Sequence, residues 1–335
     1  MRILIAYDGS ECARAALSDL SLAGLPPDAE VLVLSALDAW LPAEDLSGGL
    51  ADETLPRLKY IRERVRHGVE RQRDVAEEGA GLLRTRFPGW NVHAESCADS
   101  PAWAIVKRAE GGEGGVGGKP ADLVVVGSHG HGGLKRLVLG SVSHRVVTEV
   151  RCSVRVARVR ADVASASPFG TSPSAPKIVV GVDGSEDSRA AIDVVAERAW
   201  PNGTRVLIAA FGSGEHADPE WYSVWSAYAL QGHASVPVDS RSEDIAEKVA
   251  ETLRQRCRGL SVSTLVKQGD PKYALVKEAA AWADGADCIF VGARGVRRIE
   301  RFLLGSVSTA VAMNAHCTVE IVRPRREAAA GPPGL

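Results

Sequence analysis

Ile3-Leu4-Ile5-Ala6-Tyr7-Asp8-Gly9-Ser10 returns as Ile178-Val179-Val180-Gly181-Val182-Asp183-Gly184-Ser185. Each octet is an apolar run broken by Asp-Gly-Ser, and an alanine-rich helical pattern follows, Ala13-Arg14-Ala15-Ala16-Leu17 or Arg189-Ala190-Ala191-Ile192. A second pair of segments repeats further on. Leu123-Val124-Val125-Val126-Gly127 matches Cys288-Ile289-Phe290-Val291-Gly292, and Leu139-Gly140-Ser141-Val142-Ser143 matches Leu304-Gly305-Ser306-Val307-Ser308. The offset is 175 residues for the opening octet and 165 for the later segments, so the two halves share one plan and differ by insertions. One insertion is the glycine-rich stretch 111–118, which faces the compact Ala281-Trp282-Ala283-Asp284-Gly285 of the second half.

Within each half, short apolar runs alternate with helical patterns. After the opening strand, the first half reads as strand Val31–Leu37, helix Leu55–Phe87, strand Trp90–Ser96, helix Pro101–Glu110, strand Leu123–Val126, a helix from Ser141 and strand Ser153–Val159. The second half reads as Arg205–Phe211, Ser242–Arg258, Ser261–Val266, Pro271–Ala283, Cys288–Val291, a helix from Ser306 and Thr318–Val322. Continuous β-branched runs predict strands buried on both faces, and their alternation with helices predicts a parallel sheet with right-handed crossovers. The expected fold class is therefore α/β: two repeated, doubly wound, Rossmann-like domains. The expected boundaries are residues 1–160 and 177–324, joined by a linker at 161–176 rich in Ser, Ala and Pro and followed by a tail at 325–335.

Bulk properties narrow the functional classes. At 335 residues, with 45% hydrophobic and 24% charged residues, the composition is that of an ordinary globular protein of two domains. A formal net charge of −2 argues against nucleic acid or an anionic membrane as the main partner. No stretch approaches the roughly 20 apolar residues of a membrane span. The opening run ends at Asp8, too soon for a signal-peptide core, so the cytoplasm is the expected location. Six widely spaced cysteines without a Cys-x-x-Cys pair read as reduced, mostly buried thiols and not as a zinc site.

In an open α/β sheet, ligands bind beyond the carboxyl ends of the strands, at the switch point of the strand order. Two segments of each half end there, Asp8 or Asp183 and the loop Gly127-Ser128-His129-Gly130…Gly140-Ser141 or Gly292-Ala293-Arg294-Gly295…Gly305-Ser306. Glycines at a strand exit let the backbone turn and come close to a ligand. A helix opening at Ser141 or Ser306 offers unpaired N–H groups, a hydroxyl and the positive end of the helix dipole, which together suit a phosphate. The loops are basic, with Lys135 and Arg136 in the first and Arg294, Arg297, Arg298 and Arg301 in the second. The plainer alternative is a surface loop with Ser141 as an ordinary helix cap. Two copies with identical spacing favour phosphate binding.

Asp8-Gly9-Ser10 also reads two ways, as a turn with Ser10 capping the next helix or as a ligand contact. A carboxylate repels phosphates, so its ligand role is a hydrogen bond to a ribose hydroxyl or a metal ion between it and the phosphates. His129 and His131 have no neighbouring thiol or carboxylate in sequence that would make a metal set. Gly117-Gly118-Lys119 lacks the hydroxyl residue and the preceding strand of a P-loop. Trp221, Tyr222, Trp225 and Tyr228 read as one packing face of a helix. Neither loop contains an evident base or phosphoryl acceptor, which puts binding ahead of catalysis.

The Gly-x2-Gly-x9-Gly-Ser motif, present as Gly127/Gly130/Gly140/Ser141 and Gly292/Gly295/Gly305/Ser306, resembles that of the universal stress proteins in a tandem two-domain form. An aspartate closing the first strand, Asp8 or Asp183, is the second mark of the resemblance. It implies an adenine nucleotide α-hydrolase-like fold and the branch of the family that binds ATP, with or without magnesium. Asp8 and Asp183 would then contact adenine or ribose, Ala36 and Ala210 would face the adenine, and the loop glycines with Ser141 and Ser306 would hold phosphates. Val142-Ser143 and Val307-Ser308 would continue the two sites. The resemblance further implies pairing of the last strands, Ser153–Val159 with Thr318–Val322, as an intramolecular pseudo-dimer that can pair again as a homodimer. The implied function is stress-response regulation through ATP-dependent shape or partner binding. A slow ATPase and a nucleotide-free interaction module are the alternatives.

Overall fold

The computed structural model describes residues 1–39, 54–112, 115–130, 139–159, 175–212, 240–295 and 304–324. The chain divides into two compact units, Met1–Ser172 and Pro173–Leu335.

The first unit runs β1 (Arg2–Ala6), α1 (Glu11–Asp19), β2 (Glu30–Leu37), α2 (Thr54–Arg86), β3 (Asn91–Ala98), α3 (Pro101–Ala109), β4 (Leu123–Gly127), α4 (Ser141–Glu149) and β5 (Ser153–Ala157). Its strands are parallel in the order β3-β2-β1-β4-β5. β1 is central, so side chains on both of its faces are covered, and Ile3, Leu4 and Ile5 are fully buried. On one face Ile3, Ile5, Val31, Val33, Leu123 and Val125 meet Ala13, Ala16 and Leu17 of α1 and Ala76, Ala80 and Leu83 of α2. α3 lies along β1 and β2 and packs on α4, which closes the other face. The order reverses between β1 and β4, and the crevice this leaves at their carboxyl ends is where a doubly wound sheet binds ligands.

The second unit repeats the plan as β6 (Lys177–Val182), α5 (Glu186–Glu197), β7 (Arg205–Gly212), α6 (Ser240–Arg256), β8 (Ser261–Gln268), α7 (Pro271–Ala281), β9 (Cys288–Gly292), α8 (Ser306–Asn314) and β10 (Thr318–Val322). Its parallel order is β8-β7-β6-β9-β10. Ile178, Val180, Val206, Ile208 and Phe290 form the core with Ala191, Ile192 and Val195 of α5 and Ala246, Ala250 and Leu253 of α6.

The structure departs from the sequence expectations in specific places. The helix expected to reach Ala283 stops at Ala281, because Ala283 and Asp284 take left-handed backbone (φ 51° and 65°). β3 and β8 are not buried on both faces; each ends its sheet, and apart from Val92 their residues are half-buried or exposed. The six thiols form no disulfide but are not mostly buried: only Cys288 and Cys317 are, whereas Cys12, Cys97, Cys152 and Cys257 are partly exposed. In the insertion, Val116 bridges Lys119 ahead of β4, so Gly117-Gly118-Lys119 precedes a strand where a P-loop would follow one.

Each unit also buries a charge in the middle of its last strand. Arg155 of β5 donates to Asp19 at 2.6 Å with none of its side chain exposed, and Glu320 of β10 is equally buried and pairs with Arg198. The two strand positions are equivalent in the repeat, and their charges are opposite.

Two glycines of α2 test this packing in opposite directions. A Cβ at Gly79 would meet the Tyr7 ring at 2.8 Å, whereas one at Gly81 would meet nothing within 4 Å. Gly81→Ala is expected to raise unfolding stability by about 0.5–1 kcal/mol through helix propensity. Gly79→Ala should lower it by roughly 1–3 kcal/mol through overpacking, as read by urea denaturation.

Candidate functional site

The two strand exits are built from backbone first. After β1 the chain turns through Gly9 (φ 75°), and after β6 through Gly184 (φ 79°), a left-handed conformation that suits glycine. Asp8 Oδ1 accepts from the Ser10 backbone N–H at 3.0 Å, and Asp183 Oδ1 accepts from Ser185 at 2.9 Å. Ser10 and Ser185 cap α1 and α5, accepting from Ala13 N–H at 3.2 Å and Ser188 N–H at 3.1 Å. The capping alternative for Ser10 thus describes the serine, and the aspartate carries its second oxygen elsewhere.

That second oxygen meets the glycine loop. A Cβ at Gly130 would lie 2.8 Å from Asp8 Oδ2, and one at Gly295 would lie 2.8 Å from Asp183 Oδ2. The first glycine of each loop is tighter still. At Gly127 a Cβ would come within 2.8–3.0 Å of Cys12, mostly its backbone, and at Gly292 within 2.6–2.8 Å of the Asp187–Ser188 backbone. The loop therefore runs directly over the first turn of α1 or α5, and no side chain fits between them.

The third glycine opens the next helix. Gly140 and Gly305 occupy the N-cap positions of α4 and α8, and their N–H groups donate to Ser128 O and Ala293 O, both at 2.8 Å. Ser141 and Ser306 follow as the first helical residues and are exposed. The alternative in which Ser141 caps the helix is therefore corrected: the cap is a glycine, which has no side chain to satisfy the first N–H groups. Two residues on, Ser143 Oγ donates to Gly127 O at 2.6 Å and Ser308 Oγ to Ala293 O at 2.8 Å, so these hydroxyls brace the loop. Val142 and Val307 are partly buried beside them.

Ala36 and Ala210 are not equivalent positions. The registers against β1 and β6 match Ala210 to Ser35 and Ala36 to Phe211. Side chains alternate along a strand, so the two alanines point to opposite faces. Ala210 belongs to the core under α5 and α6, and Ser35 on the same face of β2 donates to Gln72 of α2 at 2.6 Å.

The side chains between the first two glycines differ between units. Arg294, expected as a cation of a basic loop, instead forms a bidentate pair with the buried Asp187, Nε and Nη2 both at 3.0 Å. The corresponding residues of the first unit are Cys12 and His129. His129 Nδ1 lies 3.2 Å from Ser128 Oγ, and Ser128 Oγ lies 3.9 Å from Cys12 Sγ. Burial, and then the charge of Arg158 just past β5, hold the His129 pKa below its ordinary value, so the ring is neutral at pH 7. His131, Lys135, Arg136, Arg297, Arg298, Arg301 and the Trp221–Tyr228 cluster lie outside the described residues. Sequence reading missed Asp187 and Arg158; the signal for Arg158 was Arg323, which follows β10 at the same place in the repeat.

Among the described residues no group of three or more His, Cys, Asp or Glu is arranged to hold a metal, and no helix is long and apolar enough to cross a membrane. The geometry defines a class: a tandem doubly wound α/β protein in which each unit sets an aspartate against a glycine loop at a helix start. The universal stress protein family model matches residues 1–158 and again 175–323, and the chain belongs to that family. A universal stress protein of Mycolicibacterium smegmatis is 27% identical over 268 residues, 80% of each chain. One from Mycobacterium bovis is 32% identical over 204 residues, covering 61% of this chain and 62% of that protein. Among solved structures, a universal stress protein from Archaeoglobus fulgidus superposes with a TM-score of 0.56 at 18% identity, covering 96% of both chains, a likeness of fold.

The lowered His129 pKa has a sign in stability. The unfolded chain takes up a proton at this ring before the folded one does, so stability falls as pH drops below the ordinary histidine value. His129→Gln should lose less stability than the wild type between pH 7.5 and 5.5, measured as urea midpoints. Equal losses would mean that the ring is not desolvated.

Proposed function

We propose that the chain is an ATP-binding regulatory protein of the stress response, with one adenine-nucleotide site in each unit. The observation that carries this reading is the contact of each Asp carboxylate with a loop glycine, Gly130 at Asp8 and Gly295 at Asp183. It sets an acceptor for ribose hydroxyls beside the glycine loop. Backbone N–H groups at Ser141–Ser143 and Ser306–Ser308 would hold the phosphates, because a helix start capped by glycine leaves its first donors for a ligand. Magnesium fits the same arrangement, since it binds through one carboxylate and phosphate oxygens and needs no all-protein cage. The adenine would lie over the ends of β2 and β7. Regulation, not turnover, is the proposed output: His129 and the Arg294–Asp187 pair supply no carboxylate base aimed at a phosphate.

We also propose that the two units pair through β5 and β10 as an intramolecular pseudo-dimer. Arg155 and Glu320, at equivalent mid-strand positions with opposite charge, support it. Pairing unlike strands sets opposite charges together, whereas pairing like strands between two chains sets like charges together.

Native mass spectrometry of freshly purified protein tests the first proposal. Two bound ATP molecules are expected, and Gly140→Val should remove one of them. A protein that stays empty with added ATP would sink the proposal, and accumulating ADP would favour slow hydrolysis. For the second, a chain cleaved within residues 161–176 should elute as one species on size exclusion; separated halves would refute pairing.

A further inference from the structure

The two units share the glycine cradle but differ in what ties it down. In the second unit the buried carboxylate of Asp187, on the first turn of α5, accepts three bonds from Arg294. Two come from the guanidinium, Nε and Nη2 at 3.0 Å, and one from the backbone N–H at 3.1 Å. Ser185 Oγ closes the same junction by donating to Arg294 O at 3.3 Å. The backbone of Arg294 is thus fixed at its N–H and at its carbonyl. Charge-assisted, bidentate bonds to a buried carboxylate are the strong kind.

The first unit has Cys12 where Asp187 stands and His129 where Arg294 stands. His129 is neutral at pH 7 and bonds its own neighbour, Ser128 Oγ, which in turn meets the Cys12 thiol at 3.9 Å. These contacts join uncharged side chains, and a thiol is a weak partner. They leave the backbone at residue 129 without the anchor that Asp187 supplies at residue 294.

We infer that the two nucleotide sites are inequivalent, the second being pre-organised and tight and the first weaker, with Asp187 and Arg294 as the positioning residues that make the difference. This rests on the proposal that both cradles bind ATP. A residue that is already fixed does not pay to be ordered when ligand arrives, and fixing one residue is a factor of about ten in affinity. Clamping Arg294 does cost the second site a cation. An exposed charge is screened within a Debye length, however, and a backbone cradle depends first on the placement of its N–H groups.

Isothermal titration of the full chain with Mg-ATP reads this directly. Gly140→Val leaves the second site and Gly305→Val leaves the first. The second should bind about tenfold more tightly or better. In the Gly305→Val background, the pair Cys12→Asp with His129→Arg should tighten the first site, a gain that mere structural damage would not produce. In the Gly140→Val background, Arg294→Lys keeps the charge but not the fork, and should weaken the second site several-fold. Equal affinities, or a second site unmoved by Arg294→Lys, overturn the inference while leaving two-site binding intact. No binding at either site overturns both readings.

Discussion

One close approach governs the structure of each unit: the fourth strand leaves the sheet over the backbone of the first helix's opening turn. The space at Gly127 and at Gly292 is smaller than a methyl group, and what fills it is largely main chain, which cannot rotate away. Glycine there is a packing requirement before it is a ligand contact. Because the strand must pass so low, its continuation arrives beside the aspartate that ends the central strand, and the next helix starts at the same crevice. The carboxylate, the loop and the helix start converge as consequences of that single contact.

The duplication separates what the backbone demands from what side chains are free to change. Gly9 and Gly184, Ser10 and Ser185, and the three glycines of each loop recur, because each answers a steric or capping need of the main chain. Positions that interact only through side chains have diverged. Cys12 corresponds to Asp187, His129 to Arg294, and Arg155 with its Asp19 partner to Glu320 with Arg198. A buried ion pair of either polarity satisfies the middle of the last strand, provided that both members are present; a lone buried charge would be costly.

Much of this was legible in the sequence because repetition doubles every signal. Apolar runs at matching offsets identified the strands, and the spacing of Gly127, Gly130 and Gly140 located the loop. Ends of elements were less legible: nothing in Ala281-Trp282-Ala283 announces that Ala283 adopts left-handed backbone. Partners across the fold were least legible. Arg294 looks like a free cation until Asp187, 107 residues earlier, is brought to it. Ala36 and Ala210 look alike until strand register shows that they point to opposite faces, since a shift of one residue reverses a β side chain. Ser141 looks like a cap until Gly140 is seen to be the cap and Ser141 the first helical residue.

The division of labour at Asp8 and Asp183 follows from the same geometry. One carboxylate oxygen is spent on the Ser10 or Ser185 N–H, closing the turn that leads into the helix. That bond orients the group, so the other oxygen faces Gly130 or Gly295 in a fixed direction. A negative charge held there disfavours a bare phosphate in contact with it and favours either a hydroxyl donor or a cation shared with more distant phosphates. The cradle at the helix start has the opposite preference. In the proposed reading, two surfaces of opposite electrostatic sign would select a ligand that is anionic at one end and rich in hydroxyl donors at the other.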